Sequence, residues 1–118
     1  MLAPWLQLLR RLRSARVPTS TGDLVELTVR AHPALTPETP GCASVPTGTP
    51  SSATVHLAPG LLERAQAGDR AARLVVLHEL CHVVLHLDVL RGGPAPDGRD
   101  LEAEADLFAE AVLGLLGG

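Results

Sequence analysis

The chain has no Lys, Ile, Asn or Tyr, and its 118 residues include one Trp, one Phe and two Cys. Each shortage excludes something. With Trp5 and Phe108 as the only aromatics, the core has to be built from Leu, Val and Ala. All ten basic residues are Arg, a bias that looks like GC-rich coding and says little about function. The net charge of −3 lacks the basic excess of a dedicated nucleic-acid surface. Cys42 and Cys81 are too few for a disulfide framework and read as free thiols in a reducing cytosol. No apolar run approaches the roughly 18 residues of a membrane span. The first segment also runs the wrong way for a secretory signal, which puts charge before the apolar stretch. Here the apolar residues come first and Arg10, Arg11, Arg13 and Arg16 follow.

What is present fits one domain over residues 1–118. Apolar residues make up 46%, enough for a core of modest stability. Residues 2–16 predict a helix that packs Leu2, Trp5, Leu6 and Leu9 inward and turns its arginines to water, closed by Pro18. Asp23–Arg30 alternates, with Val25, Leu27 and Val29 on one side, as in a strand with one buried face. Residues 31–52 are rich in Pro, Gly, Thr and Ser and read as a long loop, with a short edge strand allowed near Ala43–Val45. Ala53–Ala58 predicts a second strand and Leu61–Ala67 a helical turn. Asp69 is an N-cap for a helix from Arg70 to about Leu87. Asp100 caps a last helix from Leu101 to about Leu116. Together these elements give a small α+β domain with a short antiparallel or mixed sheet.

The chemistry is concentrated in VLHELCHVVLHL, residues 76–87. Three histidines and a glutamate in an apolar helix are costly unless something compensates them. His78-Glu79-Leu80-Cys81-His82 is an HExxH pattern. Residues four apart share a helix face, so His78 and His82 can offer two imidazoles to one metal ion. Glu79, at the edge of that face, can act as the general base for water activated there.

A catalytic zinc needs a third protein ligand, and two candidates compete. Asp88 fits the HExxHxxGxxH/D pattern, but Leu85 stands where that pattern has Gly. Without the Gly, the helix is expected to run past Leu85 and carry Asp88 away. The alternative is Glu102 on the last helix, with Asp106 four residues later accepting the outer N–H of a ligand histidine. Taken alone, Glu102, Glu104, Asp106 and Glu110 read as a solvated acidic face at a helix N-terminus. Beside an HExxH helix, the ligand reading of Glu102 is preferred.

HELCHVVLH followed by LEAEADLFAEAVL resembles the ImmA/IrrE family of zinc metallopeptidases, with their HELGH…E-x-x-A-[ND]-x-F-A-x-x-L-L pattern. The resemblance covers roughly residues 70–116. Glu102, Ala105, Asp106, Phe108 and Ala109 each fall on a family position, and the Glu-x-x-x-Asp arrangement is similar to the broader gluzincin class. It departs at the end, where AVLGLLGG replaces the usual Leu-Leu-Met-Pro. The resemblance implies a minimal zincin-like domain with Zn²⁺ on His78, His82 and Glu102 and with Glu79 as the catalytic base. It also implies a cytoplasmic endopeptidase acting on a protein substrate, often a helix-turn-helix repressor. No direct nucleic-acid contact is expected.

Other residues carry weaker expectations. His86 continues the 78–82–86 stripe and reads as a core residue or a support for the ligands. His56 reads as an exposed strand residue. If its strand lines the cleft, a substrate could add to that edge and His56 could help polarise the scissile carbonyl. Cys81 reads as small-residue packing, and Cys42 as a loop thiol that could cover the metal. Two further functions stay open: a non-catalytic zinc-binding sensor or interaction module, and a toxin- or immunity-type component that needs a partner. Glu79 favours the enzyme, because structural zinc sites are closed, usually Cys-rich and lack a general base.

Overall fold

The computed structural model describes residues 7, 15–46, 48 and 51–116. Of the helix expected over residues 2–16, Gln7 is helical, Ala15 and Arg16 belong to a strand, and the rest lies outside the described residues. Val17 and Pro18 complete that strand because it pairs with the next one, residue for residue, from Ala15↔Leu27 to Pro18↔Leu24.

The described residues form an α+β fold in which four strands make one mixed sheet. The strands are β1 (Ala15–Pro18), β2 (Leu24–Ala31), β3 (Gly41–Ser44) and β4 (Ser52–Leu57), in the order β1-β2-β4-β3. β1 and β2 are antiparallel, β2 and β4 parallel, and β4 and β3 antiparallel. The alternation in β2 buries Val25 and Leu27, as the period-two pattern requires. β4 likewise buries Ala53, Val55 and Leu57 on the same face. Four helices follow: α1 (Leu61–Gln66), α2 (Arg70–Leu85), α3 (Leu87–Leu90) and α4 (Leu101–Leu115). Val76, Leu77, Leu80 and Val83 of α2 join Ala109 and Leu113 of α4 in one aliphatic core with the sheet.

Both long helices start where expected. The Asp69 carboxylate accepts the N–H groups of Ala71 and Ala72 at 3.0 and 3.3 Å, and Asp100 accepts that of Ala103 at 3.1 Å. Arg70, at the start of α2, pairs with Glu110 late in α4 at 2.6 Å. His86, just past the end of α2, meets Glu104 early in α4. The two helices therefore run antiparallel, which brings HExxH alongside the acidic first turns of α4.

Two features shape the site. The short edge strand allowed near Ala43–Val45 is present as β3, shifted to Gly41–Ser44. Backbone pairing to β4 holds it, from Gly41↔Leu57 to Ser44↔Thr54. Secondly, α2 does not run on past Leu85, although no glycine stops it. His86 leaves helical geometry (φ −119°, ψ 28°) and α3 begins after it. The β1–β2 turn supplies the stop. Ser20 donates its backbone N–H to the Val84 carbonyl at 2.7 Å and its hydroxyl to the Leu85 carbonyl at 3.2 Å. These are two of the helix's last carbonyls, which otherwise lack partners. Gly22 (φ +87°) provides the left-handed residue that this turn needs.

Candidate metal centre

α2 presents His78 and His82 one turn apart, with their Nε2 atoms 3.2 Å from each other. The Glu102 carboxylate of α4 reaches both, with Oε2 2.7 Å from His78 Nε2 and Oε1 3.3 Å from His82 Nε2. Four donors at zinc's usual 2.0–2.1 Å stand roughly 3.3 Å apart along the edges of a tetrahedron. Two of the three separations match that edge, and the third is of hydrogen-bond length. The donor set, two imidazole nitrogens and a carboxylate oxygen, suits zinc. The residues present therefore fit the ion that the sequence implied.

Glu79 lies beside this set. His78, Glu79 and His82 each offer an atom within 4.8 Å of one another. Glu79 is 6% exposed, against 72% for the Glu102 side chain. Burial pushes the Glu79 carboxyl up to about 7; the His78 charge opposes this and the Glu102 charge adds to it. A buried carboxyl that exchanges its proton near neutrality suits a general base better than a fixed ligand. The imidazoles respond differently. Burial pulls His78 down, but the Asp106 hydrogen bond and the charges of Glu79 and Glu102 hold it above the ordinary histidine value. His82 is held below it, by burial first and by the neighbouring His78 and His86, with Glu102 opposing.

Asp106 Oδ1 stands 2.8 Å from His78 Nδ1, the nitrogen that points away from Glu102. This contact holds the ring's orientation, the arrangement expected where a carboxylate backs a metal-binding histidine. His86 is buried, and its nitrogens lie 2.9 Å from His82 Nδ1 and 2.9 Å from Glu104 Oε1.

His78, Glu79, His82 and Glu102 line a cleft of about 580 Å³, within the range of small-ligand sites. One wall is β3, with Gly41, Cys42 and Ala43, and the preceding Pro40; Leu74, Val75 and Leu101 add apolar surface. β3 is an edge of the sheet. The wall is therefore β3, not the β4 strand that carries His56.

Several expected residues are not brought to the centre. His56 belongs to an inner strand and alternates with the buried Val55 and Leu57, so its ring lies on the opposite sheet face. There it stacks edge-on against His32 at 5.4 Å and cannot polarise a carbonyl in the cleft. Cys42 is on β3, not in a loop; it is among the cleft-lining residues, but its register with His56 puts its side chain on that same far face. Burial, with the Glu79 charge adding, raises its thiol. Asp88 is exposed on α3 and does not line the cleft. Cys81 is fully buried, and burial, with Glu104 adding, pushes its thiol up to about 11, which suits packing.

The sequence did not reveal Gly41, or Arg99 as the anchor of Glu104. Gly41 follows a proline in a segment that reads as loop, and Arg99 precedes the cap of α4. No described helix is long and apolar enough to cross a membrane. Comparison of the chain with protein-family models, with curated proteins and with solved structures yields no match.

Proposed function

We propose that this chain is a zinc-dependent endopeptidase of the ImmA/IrrE kind, acting in the cytoplasm on a protein substrate such as a helix-turn-helix repressor. One observation carries the reading. Two imidazoles and a carboxylate converge from two helices that line one cleft, and a buried glutamate stands next to them.

His78, His82 and Glu102 would hold the ion. When bound, Zn²⁺ supplies Lewis acidity, which polarises a carbonyl and makes water a stronger acid. Glu79 takes a proton from the attacking water and delivers it to the departing amine. Its place beside His78 and His82, buried under β3, supports both steps. Asp106 keeps the His78 ring oriented. An extended peptide would lie along β3, where main-chain hydrogen bonds at a sheet edge give affinity for backbone over side chain.

The test is direct. Purified chain supplied with zinc is incubated with a helix-turn-helix repressor and, separately, with an unfolded protein such as casein. Fragments that appear with wild type, and fail to appear with chelator or with Glu79→Gln, support the reading. Intact substrates under all conditions, with zinc bound, would exclude peptidase activity on these two classes and favour a binding role.

A further inference from the structure

The two histidines of the centre are supported from behind in different ways. His78 Nδ1 meets a carboxylate directly, Asp106 Oδ1 at 2.8 Å. His82 Nδ1 instead meets another imidazole, His86 Nδ1, at 2.9 Å. His86 is 3% exposed, and its other nitrogen lies 2.9 Å from Glu104 Oε1. Glu104 is gripped in turn by Arg99, whose Nε and Nη2 donate to its two oxygens at 2.8 and 2.5 Å. The line runs His82, His86, Glu104, Arg99, from the centre to the rim.

A hydrogen bond between two imidazole nitrogens needs a proton on one and a lone pair on the other. With His82 Nε2 committed to a cation, the neutral ring carries its proton on Nδ1, and that nitrogen must donate. His86 Nδ1 must then accept, so the His86 proton sits on Nε2 and is donated to Glu104. Every donor in the line faces an acceptor, and only one set of tautomers allows this. The arrangement also answers a cost. A carboxylate in the place of His86 would bury another charge beside Glu79 and Glu102. A neutral imidazole moves the negative partner out to Glu104, where Arg99 pairs with it.

We infer that His86 is a positioning residue for the metal centre, a neutral imidazole that accepts the outer N–H of His82 and is itself locked by Glu104 and Arg99. This rests on the reading of His78, His82 and Glu102 as metal ligands. It makes two predictions. In the zinc-loaded protein, His82 carries its proton on Nδ1 and His86 on Nε2. Zinc affinity also depends on an acceptor at the His86 Nδ1 position. His86→Phe removes that acceptor. His86→Asn keeps one, because the Asn side-chain oxygen falls close to the place of Nδ1.

The experiment is zinc titration against a competing chelator for wild type, His86→Phe, His86→Asn and Glu104→Ala, with circular dichroism to check folding. Long-range ¹H–¹⁵N imidazole spectra of the zinc-loaded wild type give the tautomers. The expected result is a loss of about 10- to 100-fold in affinity for His86→Phe, recovery in His86→Asn to within a few-fold of wild type, and a smaller loss in Glu104→Ala. If His86→Phe fails to fold, Glu104→Ala on the exposed side of the line and the tautomers decide. The inference is overturned if His86→Phe binds like wild type, if Phe and Asn weaken binding equally, if Glu104→Ala binds like wild type while His86→Phe cannot fold, or if the His86 proton is on Nδ1. Wild type that takes up no zinc overturns the centre and the line together. Wild type that binds zinc while any of the preceding results holds overturns the line alone.

Discussion

Gly41 and Glu79 are in contact across the cleft with no room for a side chain between them. A Cβ on Gly41 would stand 2.9 Å from Glu79 Cγ and 3.1 Å from its Oε2. Real Cβ atoms do not approach so closely, so any other residue at position 41 moves the glutamate or the strand. The backbone there is not in the left-handed region, so the requirement for glycine is one of space.

Gly41→Ala is accordingly expected to displace the Glu79 carboxylate while leaving the ligands alone. A misplacement of about 1 Å can cost on the order of 10²-fold in rate. Peptidase kcat should fall by that order while zinc stoichiometry, read by elemental mass spectrometry, stays at the wild-type value. Loss of zinc together with activity would mean that β3 supports the ligands themselves.

Glu79→Gln keeps the size of the side chain and removes its basicity. Zinc affinity should stay within a few-fold of wild type, while turnover drops by about 10²- to 10⁴-fold, the usual contribution of a positioned acid–base group. Retained turnover would refute the role given to Glu79.

Glu102→Ala and Asp106→Ala separate the third ligand from its support. Glu102→Ala should lose most of its zinc on gel filtration, whereas Asp106→Ala should retain zinc with affinity lowered about 10- to 100-fold. Chelator competition measures both. Full zinc binding in Glu102→Ala would pass the ligand role to another carboxylate.

The Asp23–Arg91 pair, 2.7 Å long, ties the β1–β2 turn to the residue after α3. The Arg91 hydrogen bond, with help from Thr21, holds the Asp23 carboxyl below its ordinary value of 3.8. A depressed acid pKa means that the unfolded chain binds the proton more readily. The stabilisation is therefore present above pH 3.8 and is lost as pH falls through the lower folded value. Asp23→Asn should lower the melting temperature slightly at pH 6, and the gap from wild type should close toward pH 2. A gap that stays constant over this range would show that the carboxylate charge is not the cause.

The helices of the site were legible because their signals are local. Asp69 and Asp100 mark helix starts by their own chemistry, and the four-residue spacing of His78 and His82 sets a shared face before any packing is known. The face of His56 was only half legible. Its alternation with Val55 and Leu57 set it apart from them, but not which face of the strand meets the cleft. The bounds of β3 and the end of α2 were not legible, because their causes are distant in sequence. An edge strand near Ala43–Val45 was allowed, but its start at Gly41 is set by pairing to β4. Nothing around Leu85 ends a helix without Ser20, whose distance along the chain hides the contact.

That contact couples the sheet to the histidines. Ser20 reaches the last carbonyls of α2 only because β1 and β2 pair in one particular register, with Pro18 opposite Leu24. A slip of the hairpin by one residue would reverse which face each side chain occupies and withdraw the group that ends the helix. The length of the histidine helix, and with it the angle at which His86 meets His82, is thus set by strand pairing some sixty residues earlier in the chain. An insertion in the 19–23 turn would act on the metal centre without touching any of its ligands.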